Sequence, residues 1–220
     1  MNDLASLYQN RFDAEELTAK RRLWRVLCRH FFQRYVPRDA VLLDLACGYG
    51  EFLHGIDAKE KHGLDLNPDS ARHLPPEARF HLGNAEDAPE LAGNSFDVVF
   101  CSNFLEHLHS KAAVSRVFGE VQRILKPGGR LLLMGPNMRT VPGAYWDFWD
   151  HHLPLSERSL AEGLLMAGFE LERVIARFLP YSTKSHLPRA SILVAGYVRF
   201  PPAWLIMGKQ FFIVARKAKA

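Results

Sequence analysis

Val41-Leu-Leu-Asp-Leu-Ala-Cys-Gly-Tyr-Gly50 is an apolar run that ends in an acid and passes at once into a glycine-rich turn of small residues. A buried strand feeding a turn tight enough to admit a ligand has this pattern. Gly48 and Gly50 can adopt positive φ and place no Cβ in the way. A second candidate strand, His62-Gly-Leu-Asp-Leu66, carries Asp65 near its end, about 20 residues beyond the first strand, where a ribose-binding carboxylate follows such a turn. Turn and acid together read as a site for a nucleoside cofactor, without saying which one.

Outward from this turn, strands alternate with helices. Residues 13–35 read as one amphipathic helix, with Leu17, Leu23, Trp24, Leu27, Phe31 and Tyr35 at helical spacing and Pro37 as its stop. Its arginines, Arg21, Arg22, Arg25, Arg29 and Arg34, fall largely on other faces and read as a solvated surface, or as a surface for an anionic substrate or membrane. Strands are expected at 41–45, 63–66, 79–82, 96–101, 130–134, 171–178 and 210–215. Helices are expected after Gly50, from Asn67, over 111–125 and over 157–167. Lys126-Pro-Gly-Gly129 ends one of these helices; Ser156 is placed to cap another, with Gly168 just past its end. The order predicts an α/β fold, a doubly wound, mostly parallel seven-stranded sheet with helices on both faces. One domain over 1–220 is expected, divided into a cap helix (1–37), a core (38–179), an insertion or lid (180–209) and a last strand and tail (210–220). The 180–209 stretch is long for a connection, apolar and positively fringed, as an interfacial segment, lid or dimer surface would be.

Composition sets bounds. At 220 residues, 48% hydrophobic and 24% charged, the chain can bury one sizeable core. A net charge of +4 is too mild to argue for nucleic acid, and none is expected as a partner. Cys28, Cys47 and Cys101 show neither paired nor metal-ligand spacing, so no disulfide framework or zinc site is expected, and a reducing cytoplasm fits best. The first residues lack a signal-peptide pattern, and no window reaches ~18 uninterrupted apolar residues. The chain is expected to be cytoplasmic, at most peripheral to the inner face of a membrane through 180–209, and a monomer or homodimer.

Taken together, these motifs resemble the class I S-adenosylmethionine-dependent methyltransferases, in the small-molecule type 11/12-like branch. Asp44-Leu-Ala-Cys-Gly-Tyr-Gly50 stands where that family has D-x-G-x-G-x-G; Asp65-Leu-Asn-Pro68, Gly83-Asn-Ala-Glu-Asp87, Phe96-Asp-Val-Val-Phe100 with Leu105-Glu-His-Leu108, Leu125-Lys-Pro-Gly-Gly-Arg130 and Ala167-Gly-Phe169 follow in the family's order. The resemblance covers roughly residues 38–178 and the last strand. It departs at Ala46, where the first glycine is usual, and at Asn84, which can still accept the adenine amino bond through its carbonyl.

The resemblance implies S-adenosyl-L-methionine as cofactor and S-adenosyl-L-homocysteine as product. The implied cofactor-binding residues are Asp44 (methionine amino group), Ala46, Gly48 and Gly50 (the turn), Asp65 (both ribose hydroxyls), Leu66 and Ala85 (adenine faces), Asn84, Glu86 and Ser102. Tyr8 and Arg11 are candidates to cover the methionine carboxylate. The implied activity is methyl transfer to a small or lipid-linked acceptor, most simply at oxygen, with N- or C-methylation or a silent cofactor-binding partner as alternatives. A hydroxyl acceptor needs a base. His107, just past the fourth strand, and His152, before the helix capped by Ser156, are the candidates. Tyr145-Trp-Asp-Phe-Trp149 would stack on an acceptor ring or pack a lid. No metal is expected.

Overall fold

The computed structural model describes residues 14–180 and 191–219; Tyr8, Arg11 and part of the 180–209 stretch lie outside them. Seven strands form one sheet: β1 (Val41–Leu45), β2 (Glu60–Asp65), β3 (Ala78–Leu82), β4 (Phe96–Ser102), β5 (Leu125–Pro136), β6 (Phe169–Ile175) and β7 (Gln210–Lys217). Their order is β3-β2-β1-β4-β5-β7-β6. All pairs are parallel except those of β7, which runs antiparallel to both β5 and β6. The doubly wound sheet is as expected.

Alternation along the strands divides the core between two faces. Leu43 and Leu45 of β1 point with Val99, Leu131 and Ile213 toward α2 (Lys111–Ile124) and α3 (Glu157–Met166). Leu42 points with Val98, Phe100, Leu132 and Phe212 toward α1 (Ala14–His30), α4 (Ser191–Arg199) and α5 (Pro201–Met207). Aromatic rings dominate this second face: Phe31 meets Phe178, Trp204 and Phe212 with centroids 4.1–5.7 Å apart. The described part of the 180–209 stretch is thus a core layer. Val198 and Trp204 are buried, and Tyr197 donates its hydroxyl to the Phe178 carbonyl.

Several elements differ from the sequence expectation. α1 stops at His30, and a 3-10 turn spans Phe32–Arg34. Phe31 and Phe32 are both fully buried. Neighbours on a regular helix point roughly 100° apart, so breaking the helix at Phe31 lets both rings enter the core. The stretch after Gly50 forms turns; Gly55 approaches α1 so closely that a Cβ there would lie 3.0 Å from Cys28 Sγ. The element after Asn67 is a 3-10 helix (Pro68–Arg72), which Pro75-Pro76 keeps short. Lys126-Pro-Gly-Gly129 does end α2, but the chain is already extended from Leu125, and the β4–β5 register shifts between Phe96 and Val98 to absorb it. β6 starts earlier than expected, directly after Gly168 at φ +83°. Ser156 caps α3 as read, in a reciprocal box with Ser159.

Candidate active site

The site lies at the carboxyl ends of β1, β2 and β4, where open parallel sheets bind ligands. β1 delivers Ala46, Gly48 and Gly50, all with positive φ (57°, 51° and 71°). An added Cβ at Gly48 would meet no protein atom within 4 Å, whereas one at Gly50 would lie 2.5 Å from Leu74 Cδ2. Gly48 therefore presents bare backbone to open space, and Gly50 is needed for packing beneath. Ala46 is the only one of the three that pays steric strain for its left-handed backbone.

Asp65 ends β2 and organises two turns. One carboxylate oxygen accepts the Gly48 amide (2.8 Å) and the other the Asn67 amide (2.9 Å). The glycine turn is thus capped from the neighbouring strand. Each oxygen keeps a lone pair for a ribose hydroxyl. Burial raises the Asp65 carboxyl above its ordinary value, and the backbone amides of Asn67, Gly48 and Leu66 pull it back. Asp44 is almost fully buried. Burial holds it well above the usual carboxylate range, and the neighbours acting on it, Glu51 and Asp65, are acids that push the same way. A buried acidic pocket behind bare glycine backbone suits a cationic ligand such as an ammonium beside a sulfonium.

Leu66 and Leu82 are each 59% exposed and flank Asp65, with Leu82 its register partner on β3. Two large exposed leucines beside the Asp65 carboxylate offer an apolar face on which a base could stack. Sequence reading found Leu66 and passed over Leu82, because a strand-end leucine looks like core until its exposure is known. Ala85 is buried. Asn84 Oδ1 accepts the Glu86 amide (3.0 Å), and the Glu86 carboxylate pairs with Arg116. The Glu86 amide is thus committed within the chain, and Asn84 retains one acceptor lone pair. Ser102 ends β4, half-buried, opposite Met134. These residues fit the adenosine and amino-acid portions of S-adenosylmethionine, with Asp65 for the ribose, Leu66 and Leu82 for the base, and Asp44 behind the turn for the amino end.

A second cluster of polar groups is built on Glu106, in the 3-10 turn after β4. Its backbone carbonyl accepts the amides of His152 and Leu153, and its buried carboxylate accepts the Tyr145 hydroxyl at 2.8 Å. Burial raises this carboxyl to about 7. Beside it, His107 Nδ1 lies 2.7 Å from the Asp150 carbonyl and 3.5 Å from the Asp150 carboxylate. A carbonyl only accepts, so Nδ1 carries the proton, and Nε2 of the neutral ring keeps its lone pair. His151 is held in the same way by the Tyr145 carbonyl at 2.7 Å, and its ring stacks on Tyr145. The rings of His107 and His151 are 5.1 Å apart, and His107, Asp150 and His151 bring ligand-capable atoms within 4.8 Å of one another. His152 turns elsewhere: it is exposed, with its ring 4.3 Å from that of His109. The structure thus joins His107 to Tyr145, which the sequence placed in an aromatic cluster for an acceptor ring or lid, and to His151, Asp150 and Glu106, which the sequence had not singled out, while the His152 ring faces His109 instead. Adjacent histidines in one segment cannot be told apart before the backbone direction is known.

Residues 43–133 match the family described as a methyltransferase domain. That segment of the chain carries a methyltransferase domain. A thiol S-methyltransferase of Rattus norvegicus is 31% identical over 57% of this chain and 54% of its own length. The 2-methyl-6-phytyl-1,4-hydroquinone methyltransferase of a Synechocystis strain is 28% identical over 81% of this chain and 60% of its own. A crystal structure of an S-adenosylmethionine-dependent methyltransferase from Archaeoglobus fulgidus superposes with a TM-score of 0.67 at 21% identity, covering 98% of this chain and all of that one. The chain spans between 35% and 63% of the length of curated relatives that it matches. The glycine turn, Asp65, Asn84-Ala85 and Glu106 therefore share the carboxyl edge of the sheet, whereas Leu125–Arg130 and Ala167–Phe169 open their strands at the opposite edge.

Two outcomes are expected. Ala46→Gly should raise stability by about 1 kcal/mol in urea denaturation, since glycine relieves the left-handed strain and gives part of the gain back as unfolded-chain entropy. Glu106 binds its proton more tightly when folded. Its contribution is fully present below the ordinary value of 4.5 and is lost as pH rises through about 7. Glu106→Gln removes that dependence. Its stability relative to the parent chain should therefore improve by on the order of 3 kcal/mol between about pH 4 and pH 8. A constant difference across that range would contradict the buried-acid assignment.

Proposed function

We propose that this methyltransferase domain methylates a hydroxyl oxygen on a small or lipid-linked acceptor, with His107 as general base. The observation that carries the reading is the His107–Asp150 contact. It fixes the ring tautomer and leaves an acceptor nitrogen at the edge shared by β1 and β4. A carbonyl and a carboxylate at Nδ1 also stabilise the imidazolium formed when Nε2 takes the acceptor's proton. When bound, the cofactor supplies an electrophilic methyl carbon and a neutral thioether leaving group. The chain's share is to align the acceptor, remove one proton and exclude water.

Trp146, Phe148 and Trp149 provide the aromatic wall for an acceptor ring; Trp149 is 94% exposed. His152, at the rim, is assigned to acceptor contact. The likeness to enzymes named for a thiol and a phytyl hydroquinone supports an acceptor that is small or carries a lipid tail. Gly48 and Asp65, in place and geometrically tied, support cofactor binding in service of catalysis over a silent partner role.

Calorimetry with S-adenosylmethionine should give one site, and Asp65→Ala should weaken it at least tenfold, because the ribose partner and the anchor of the glycine turn go together. His107→Ala should lower kcat by about a hundredfold or more with cofactor affinity unchanged. Labelled cofactor and a panel of phenols and hydroxylated lipids identify the acceptor; a methoxy product supports the reading. A methylated carbon, nitrogen or sulfur would replace it, and full turnover by His107→Ala would remove the base.

A further inference from the structure

Two stretches of the sequence contain no acidic residue: residues 17–38, and everything after Glu172. Far apart in the chain, they come together in one layer. α1 and α4 pack side by side, with Arg199 Nη2 2.8 Å from His30 Nδ1 and Arg173 donating to the Tyr35 hydroxyl at 3.0 Å. The outward surface of this layer is basic and apolar at once. Arg22, Arg25 and Arg29 recur at three- and four-residue spacing along the exposed side of α1, and Arg199 ends α4 exposed beside them. Two acids near the layer are engaged by other cations, Glu51 by Lys20 (3.8 Å) and Asp57 by Arg38 (2.5 Å), and Asp39 is exposed beyond the end of α1. Among the described residues no carboxylate pairs with Arg22, Arg25, Arg29 or Arg199.

Next to these cations the α4–α5 hairpin exposes Ile192 (80%), Phe200 (60%), Leu205 (69%) and Ile206 (78%). The same hairpin sends Val198 and Trp204 into the core, so its outward residues are held on a fixed scaffold. Several large apolar side chains grouped on a surface mark an interaction site. A short amphipathic segment with cations at its border suits the headgroup boundary of an anionic bilayer. No described helix is long and apolar enough to cross a membrane.

We infer that the α1/α4–α5 layer docks this methyltransferase on an anionic lipid surface. The hairpin inserts its apolar residues among the headgroups, and the arginines neutralise lipid phosphates. The layer also reaches the acceptor side. At the junction of α5 and β7, the Lys209 carbonyl accepts the Asn137 amide (3.1 Å) and the Thr140 hydroxyl (2.8 Å), where the acceptor segment leaves β5. A lipid-tailed acceptor could pass to the site from the surface on which the layer rests. The docking deepens the lipid-linked acceptor reading and rests on it for its purpose, but is measured without methyl transfer.

The test is flotation of the full chain with phosphatidylcholine vesicles, and with the same vesicles carrying about one third phosphatidylglycerol. Binding is expected to the anionic vesicles and to fall steeply as salt rises to about 0.5 M. Replacing Arg25, Arg29 and Arg199 together by Gln should lower partitioning about a hundredfold. Replacing Ile192, Leu205 and Ile206 by Ser should lower it about tenfold or more. These side chains are exposed, and calorimetry with S-adenosylmethionine confirms that each variant is folded. A chain that binds the cofactor but does not float, or whose flotation ignores both sets of substitutions, overturns the inference. So does a dimer in light scattering that Ile206→Ser converts to monomer, which would give the face to a second copy.

Discussion

The arrangement at the sheet edge depends on a single carboxylate. Asp65 closes β2 and, by accepting the Gly48 amide across to β1 and the Asn67 amide on its own strand, holds two loops at a fixed separation. It adds a side-chain anchor to the backbone bonds that shape the glycine turn, from Cys47 to Leu64 and from Gly50 to Cys47. The same two oxygens each keep a lone pair, so in the proposed cofactor site the scaffold contact and the ribose contact would be one group used twice. This economy explains why the site can be small. The turn needs no side chains of its own, because the neighbouring strand supplies the anchor.

The glycine turn and the acid at the end of β2 were legible in the sequence because they are carried by backbone conformation and by strand ends. Glycines that need positive φ, an acid about 20 residues on and the alternation of strands with helices are local signals, and each survives without knowledge of the fold. Ala46 could be flagged as a departure, but its φ of 57° was needed to show that it carries strain. Leu82 could not be flagged. Its role comes from lying opposite Asp65 on a neighbouring strand, and pairing across strands is not written in any one segment.

The acceptor half was less legible for the same reason. His107, Glu106, Tyr145, Asp150 and His151 come from two segments some 40 residues apart, and the contacts that orient them run largely to backbone carbonyls. Backbone carbonyls have no residue signature. Of two neighbouring histidines, His151 turns inward onto Tyr145 and His152 outward onto His109, a choice made by chain direction. Element ends shifted where burial overrode propensity, as at Phe31–Phe32, or where a glycine had to admit another backbone, as at Gly55.

The segment between β5 and α3 is pinned by its own backbone. Asn137 bonds to Lys209, Met138 to Leu155, and His152 and Leu153 both bond to the Glu106 carbonyl. All these ties fall at the two ends of the segment and use peptide groups that every residue except proline possesses. The aromatic stretch between them, Trp146 to Trp149, can therefore be exchanged without unfastening the loop. If these rings line the acceptor site as proposed, substrate range is separable from architecture: altering a handful of rings would change the acceptor while the backbone ties and the strands stay as they are.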